Sequence, residues 1–156
     1  CIAVDPWFIV AKTPEQARLI RTAREVNDAK PEWVIDQVKI KIAEFLQANP
    51  EKTIKDVTVA CYGLAFKPDI DDLRESPAMG IAQSIAHWHK GETLVVEPNI
   101  HQLPKKLDGL CQLAALDDAL ASANVLVLLV DHNEFKAIKG DAVHQQYIVD
   151  TKGVWR

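Results

Sequence analysis

Val125–Val130 (VLVLLV) constrains this chain more than any other stretch. Six apolar residues in unbroken succession, half of them β-branched, read as a strand buried on both faces. Such a strand belongs to a parallel sheet with helices over both surfaces, and the chain from Asp56 onward alternates accordingly. Strand Val57–Tyr62 is followed by helix Pro77–His89 and strand Thr93–Glu97. A short strand at Cys111–Ala114, helix Leu116–Ala121, Val125–Val130, a short helix ending near Ile138 and strand Tyr147–Asp150 complete the series. The predicted class is α/β, a parallel nucleotide-binding type of sheet. No Gly-x-Gly-x-x-Gly occurs anywhere, so the usual dinucleotide loop is missing.

The first third is helical in pattern. Thr13-Pro14-Glu15-Gln16 predicts a helix start with Thr13 as N-cap, running to about Asp28 with Ala17, Ile20, Ala23 and Val26 as a partial apolar stripe. Pro31 predicts a break and a second helix, Pro31–Ala48, with Val34, Val38, Ile42, Phe45 and Leu46 on one face. This pair packs either on the rest of the chain or across a subunit interface. Asn49–Lys55 reads as a linker, and Trp7 and Trp33 read as packing residues.

The chemistry concentrates in Gly63–Pro77 (GLAFKPDIDDLRESP), a strand-to-helix loop of the kind where open α/β sheets hold ligands. Gly63 allows a sharp exit from the strand. Ser76 and Pro77 form a helix start, and Lys67 and Arg74 suit an anionic, phosphate-bearing ligand. The alternative is a solvated loop whose charges pair internally, Lys67 with Asp69 and Arg74 with Asp71. Cys1 is open to three readings: a small buried residue, an accident of where the sequence starts, or a nucleophilic thiol with Asp5 four residues on. His132 follows a strand end, at the edge of any nucleotide pocket. His87 and His89 bracket a Trp at a helix end and do not make a metal site. Cys61 reads as core.

A net charge of −4 with no basic run argues against nucleic acid as partner, and no apolar stretch has membrane-spanning length. No signal-peptide pattern opens the chain. Three cysteines, odd in number and widely spaced, are expected to be reduced thiols of a cytoplasmic protein. A chain that begins with Cys rather than Met is expected to be a piece of a longer protein.

Three segments carry a family resemblance: Cys1-Ile2-Ala3-Val4-Asp5-Pro6, Gly63-Leu64-Ala65-Phe66-Lys67 and Asp72-Leu73-Arg74-Glu75-Ser76-Pro77-Ala78. With Val26-Asn27-Asp28 and the closing Val149–Arg156, the whole chain resembles the UDP-glucose/GDP-mannose dehydrogenase family. The resemblance implies a C-terminal fragment. Residues 1–49 would be the end of a central helical dimerisation domain and residues 56–156 a Rossmann-like UDP-sugar-binding domain. An NAD-binding domain would lie upstream, outside this chain. It implies oxidation of a sugar C6 alcohol to a carboxylate with two NAD+ and water, through a thiohemiacetal and a thioester on Cys1, with Asp5 assisting proton transfer. Phe66, Lys67 and Lys152 would contact the UDP-sugar, and Arg74 the NAD end of the cleft. Val4, where UDP-glucose enzymes often carry Lys, favours an N-acetylhexosamine substrate. The family's upstream oxyanion residues are missing here, so the fragment alone is expected to be inactive, a UDP-sugar-binding and homodimerising module.

Overall fold

The computed structural model describes residues 3–143 and 146–155. The chain divides into two compact units, Cys1–Trp33 and Val34–Arg156.

In the first unit, helix α1 (Asp5–Lys12) carries Pro6 in its first turn, where a missing N–H costs nothing. Thr13 closes this helix, its amide and hydroxyl both donating to the Ile9 carbonyl at 2.9 and 3.0 Å. The predicted N-cap is therefore corrected. The Thr13 hydroxyl is committed backwards to the helix already formed, and α2 (Arg18–Ala48) begins beyond Gln16. Trp7 and Trp33 are exposed rather than packed, with Lys30 Nζ lying 3.6 Å from the centre of the Trp33 ring. Val26 is exposed too, so the upstream apolar stripe is only partly used.

The predicted break at Pro31 is also corrected, because α2 runs through it. Proline removes one donor, at a local cost of about 3 kcal/mol. Downstream, Val34, Val38, Ile42 and Phe45 are buried against the sheet of the second unit, and that packing sustains the helix.

The sheet of the second unit has the order β3-β2-β1-β4-β5, every pair parallel. Its strands are β1 (Val59–Tyr62), β2 (Thr93–Val96), β3 (Gln112–Leu113), β4 (Val125–Leu128) and β5 (Tyr147–Asp150). Helices α3 (Pro77–Trp88), α4 (Leu116–Ser122) and α5 (Asn133–Lys136) connect them. Alternate residues feed two cores, as the pleat requires. Val59, Cys61, Val95, Val125 and Val127 face the layer with Val38, Ile42, Ala82 and Ile85. Ala60, Tyr62, Leu94, Leu126 and Leu128 face the layer with Ala119, Phe135 and Trp155. All four residues of β4 are fully buried, each burial contributing about 1.5–3 kcal/mol relative to exposure. No helix among the described residues is long and apolar enough to cross a membrane.

This topology has one switch point. From β1 the chain builds β2 and β3 on one side, then crosses to β4 and β5 on the other. The crevice beyond the carboxyl ends of β1 and β4 is where sheets of this kind take ligands.

Candidate functional site

Gly63 leaves β1 with φ 93°, its amide donating to the Val96 carbonyl at 2.9 Å. A Cβ at this position would lie 2.4 Å from Val130 Cβ, so only glycine lets the exits of β1 and β4 approach this closely. The loop that follows ends at Ser76, whose Oγ accepts the Met79 amide at 3.3 Å and donates to the Ala65 carbonyl at 3.1 Å. The expected helix start, Ser76 as N-cap followed by Pro77, is thus present, and the same hydroxyl ties the two ends of the loop together. Its middle is closed by the Phe66 amide donating to the Asp72 carbonyl at 2.8 Å.

Phe66 and Lys67 are exposed at the crest. Arg74 is exposed and grips Asp72 in a two-pronged pair, Nε to Oδ1 at 2.9 Å and Nη2 to Oδ2 at 2.8 Å. The partner is Asp72 rather than the expected Asp71. The Arg74 amide also donates to the Asp72 carboxylate, and these bonds hold that group down to about pKa 2. Lys67 forms no ion pair with Asp69 among the described residues. The Asp69 carboxylate instead accepts the Asn133 amide at 2.9 Å.

Lys152 stands one strand further along the same edge. Asp150 shapes its turn, Oδ1 accepting the Lys152 and Gly153 amides at 2.8 and 2.7 Å and Oδ2 the Trp155 amide at 2.9 Å. Lys152 Nζ lies 3.9 Å from Asp131 Oδ1, and Lys136 Nζ lies 3.2 Å from Asp131 Oδ2. Burial works to raise the Asp131 pKa, but the two lysines and hydrogen bonds outweigh it and hold the carboxyl below its usual range.

Two residues central to this edge escape a sequence reading, Glu97 and, in its real role, His132. Glu97 follows β2 and His132 follows β4, the two neighbours of β1. Both are buried, and His132 Nε2 lies 3.0 Å from Glu97 Oε2. Glu97 also accepts the amides of Leu64, Ala65 and Asn99 and the Asn99 side-chain NH2. Burial alone would raise its pKa, but the hydrogen bonds from His132, Leu64 and Asn99 prevail and lower it. The available signal was a chargeable residue ending each of two apolar strands, TLVVE and, two residues late, VLLVDH.

Phe66, Lys67, Arg74 and Lys152 therefore share the carboxyl-end edge of one sheet. Phe66 and Lys67 stand nearest the switch point, while Arg74 is paired with Asp72 and Lys152, beyond the outer strand β5, lies beside Asp131. Cys1 lies outside the described residues. Asp5 is exposed in the first turn of α1, in the other unit. A cavity of about 480 Å³ opens on the β2–β3 side, lined by Pro98, Ile100, His101, Ala115, Leu116 and Glu134, and none of the expected site residues lines it. His89 is an anchor: buried, with Nε2 donating to the Val57 carbonyl at 2.8 Å. Cys61 is core, as expected, and burial pushes its thiol up to about 12.

Comparison with known proteins places these features in context. A family model described as the UDP-glucose/GDP-mannose dehydrogenase family, UDP binding domain, matches residues 60–156. A UDP-N-acetyl-D-mannosamine dehydrogenase of Salmonella typhi is 77% identical over 156 residues, all of this chain and 37% of the relative's length. A solved UDP-N-acetyl-mannosamine dehydrogenase from S. aureus is similar at TM-score 0.69 and 32% identity, over 99% of this chain and 34% of the other. A UDP-glucose dehydrogenase from Pyrobaculum islandicum shares the fold at TM-score 0.78 and 16% identity, over 99% of this chain and 34% of the other. The chain thus spans little more than a third of such proteins.

Proposed function

Because the chain belongs to the UDP-glucose/GDP-mannose dehydrogenase family, we propose that it is the C-terminal part of an NAD-dependent nucleotide-sugar 6-dehydrogenase. The substrate is UDP-N-acetyl-D-mannosamine and the product UDP-N-acetyl-D-mannosaminuronate. The observation that carries this reading is the 77% identity, across all 156 residues, to a relative bearing that substrate in its name. Residues 56–156 bind the UDP-sugar, residues 1–49 contribute to a homodimer, and the whole acts in the cytoplasm.

The residues present do not make this sheet a seat for NAD. It lacks the glycine loop, and Glu97, at the end of the second strand where such folds offer a carboxylate to the ribose, is saturated. NAD+ would be held outside this chain, with Arg74 at its edge, and would supply the hydride acceptor for the oxidations. Phe66, Lys67 and Lys152 bind the nucleotide end of the substrate, the cations meeting its diphosphate. Cys1 Sγ adds to the C6 aldehyde carbon, and the thiol proton passes to the aldehyde oxygen, which becomes the hydroxyl of the thiohemiacetal. Once that carbon is oxidised to a thioester, water adds and the carbon–sulfur bond breaks, giving the carboxylate and returning the thiolate. A thiol suits both halves, as nucleophile and as leaving group. Asp5 accepts a proton from the attacking water.

The full-length protein is the one to assay, with UDP-N-acetylmannosamine, UDP-N-acetylglucosamine and UDP-glucose side by side, for wild type and Cys1→Ala. The reading expects two NADH per UDP-N-acetylmannosamine and none from the variant. Turnover of UDP-glucose alone would overturn the substrate, and an active variant would overturn the role of Cys1.

A further inference from the structure

Phe66 and Lys67 sit on a short arch, and its two feet are held by residues outside the predicted site. One foot is Leu64–Ala65, whose amides donate to Glu97 Oε2 at 2.7 and 3.1 Å. The other is Asp69, whose amide donates to His132 Nδ1 at 2.9 Å. The 3.0 Å contact between His132 Nε2 and Glu97 Oε2 joins the two holders, and both side chains are wholly buried.

The hydrogen bonds fix the state of the ring. An amide can only donate, so Nδ1 is the bare acceptor and the ring proton sits on Nε2, aimed at Glu97. Asp69 has φ 61°, a left-handed conformation that Asp adopts more readily than most non-glycine residues. The Pro68-Asp69 turn suits this conformation, and the contacts of the Asp69 amide with His132 and of its carboxylate with the Asn133 amide hold it in place.

A sheet of this topology does not need a buried Glu–His pair. Its ladders and both cores are built from other residues, and an ion is costly to bury. Apart from Asn99, the pair spends its hydrogen bonds on the arch. We infer that Glu97 and His132 are positioning residues, a buried brace that sets the place of Phe66 and Lys67 and thereby the affinity of the site for a nucleoside diphosphate. The inference rests on reading Gly63–Pro77 as the ligand loop.

The test uses the full-length protein, with UDP as probe. UDP affinity is measured by calorimetry, ligand-free amide exchange over residues 64–69 by mass spectrometry, and stability by urea unfolding. The variants are His132→Leu, His132→Asn and His132→Gln. Asn keeps an acceptor near Nδ1, whereas Gln keeps only a donor toward Glu97. In His132→Leu, exchange at residues 64–69 should accelerate at least tenfold while β1 and β4 stay protected. UDP binding should weaken about tenfold, the effect of one lost hydrogen bond. Asn should restore most of both effects and Gln should not. Unchanged UDP affinity in His132→Leu, or equal weakening in all three variants tracking their urea midpoints, would overturn the brace. A wild-type protein that fails to bind UDP would instead overturn the ligand reading of the loop, while the exchange pattern still decides whether the brace exists.

Discussion

Gly63→Ala is the sharpest perturbation the fold offers. Two costs combine. A non-glycine residue at φ 93° bears about 1–2 kcal/mol of backbone strain. The new Cβ would also lie 2.4 Å from Val130 Cβ and 2.8 Å from the Val130 amide nitrogen, which must shift within a closed core, at about 1–3 kcal/mol. Stiffening of the unfolded chain returns about 0.4–1 kcal/mol, leaving a net loss of about 1–4.5 kcal/mol. With a urea slope of about 2 kcal/mol/M, the unfolding midpoint should fall by about 0.5–2 M. Two other glycines separate the causes. Gly109 has φ 71° but open space where a methyl group would go, so Gly109→Ala should show the backbone cost alone, about 1 kcal/mol. Gly80 lies in α3, also with open space, and Gly80→Ala should stabilise by about 0.5–1 kcal/mol. Tryptophan fluorescence in urea reads all three. If Gly63→Ala costs no more than Gly109→Ala, the close approach of the two strand exits is not what requires glycine.

Two further outcomes follow from buried titratable groups. Burial pushes His89 below its ordinary pKa, and its bond to the Val57 carbonyl only partly offsets this. The unfolded chain therefore takes up the proton first, so the stability His89 contributes is complete above about pH 6.5 and declines as pH falls below it. His89→Gln, which keeps a donor for Val57, should lose less stability than wild type between pH 7.5 and 5.5 in urea titrations; equal slopes would refute the assignment. Burial also pushes the thiols of Cys61 and Cys111 up to about 12 and about 11. Iodoacetamide at pH 8 should therefore spare both in the native protein by peptide mapping, and labelling of Cys61 at the rate of a free thiol would contradict its place in the core.

Much of the sheet was legible because its strands are short, apolar and punctuated by turn residues. Val125–Val130 announced a strand buried on both faces, and β5 falls on the predicted Tyr147–Asp150. The helical third was less legible because local signals compete there with packing. Thr13 has the chemistry of an N-cap, but its hydroxyl bonds back to Ile9. Pro31 has the chemistry of a breaker, but Val34, Val38 and Ile42 hold the helix on the sheet. In the site, Phe66, Lys67 and Arg74 were visible as exposed chemistry on one loop. Glu97 and His132 were not, because their meeting depends on β2 and β4 both flanking β1. That adjacency is set by strand order, across 35 residues of sequence.

The saturation of Glu97 bears on how this sheet could diverge. Five hydrogen bonds converge on one carboxylate, at the place where a dinucleotide fold presents a carboxylate to its ribose. Grafting a glycine-rich turn onto β1 would therefore not convert the sheet into a second coenzyme carrier. The acid would first have to be released, and releasing it would let go of the loop. Any drift between the two kinds of ligand must change the turn and the acid together, a double step that single substitutions do not reach.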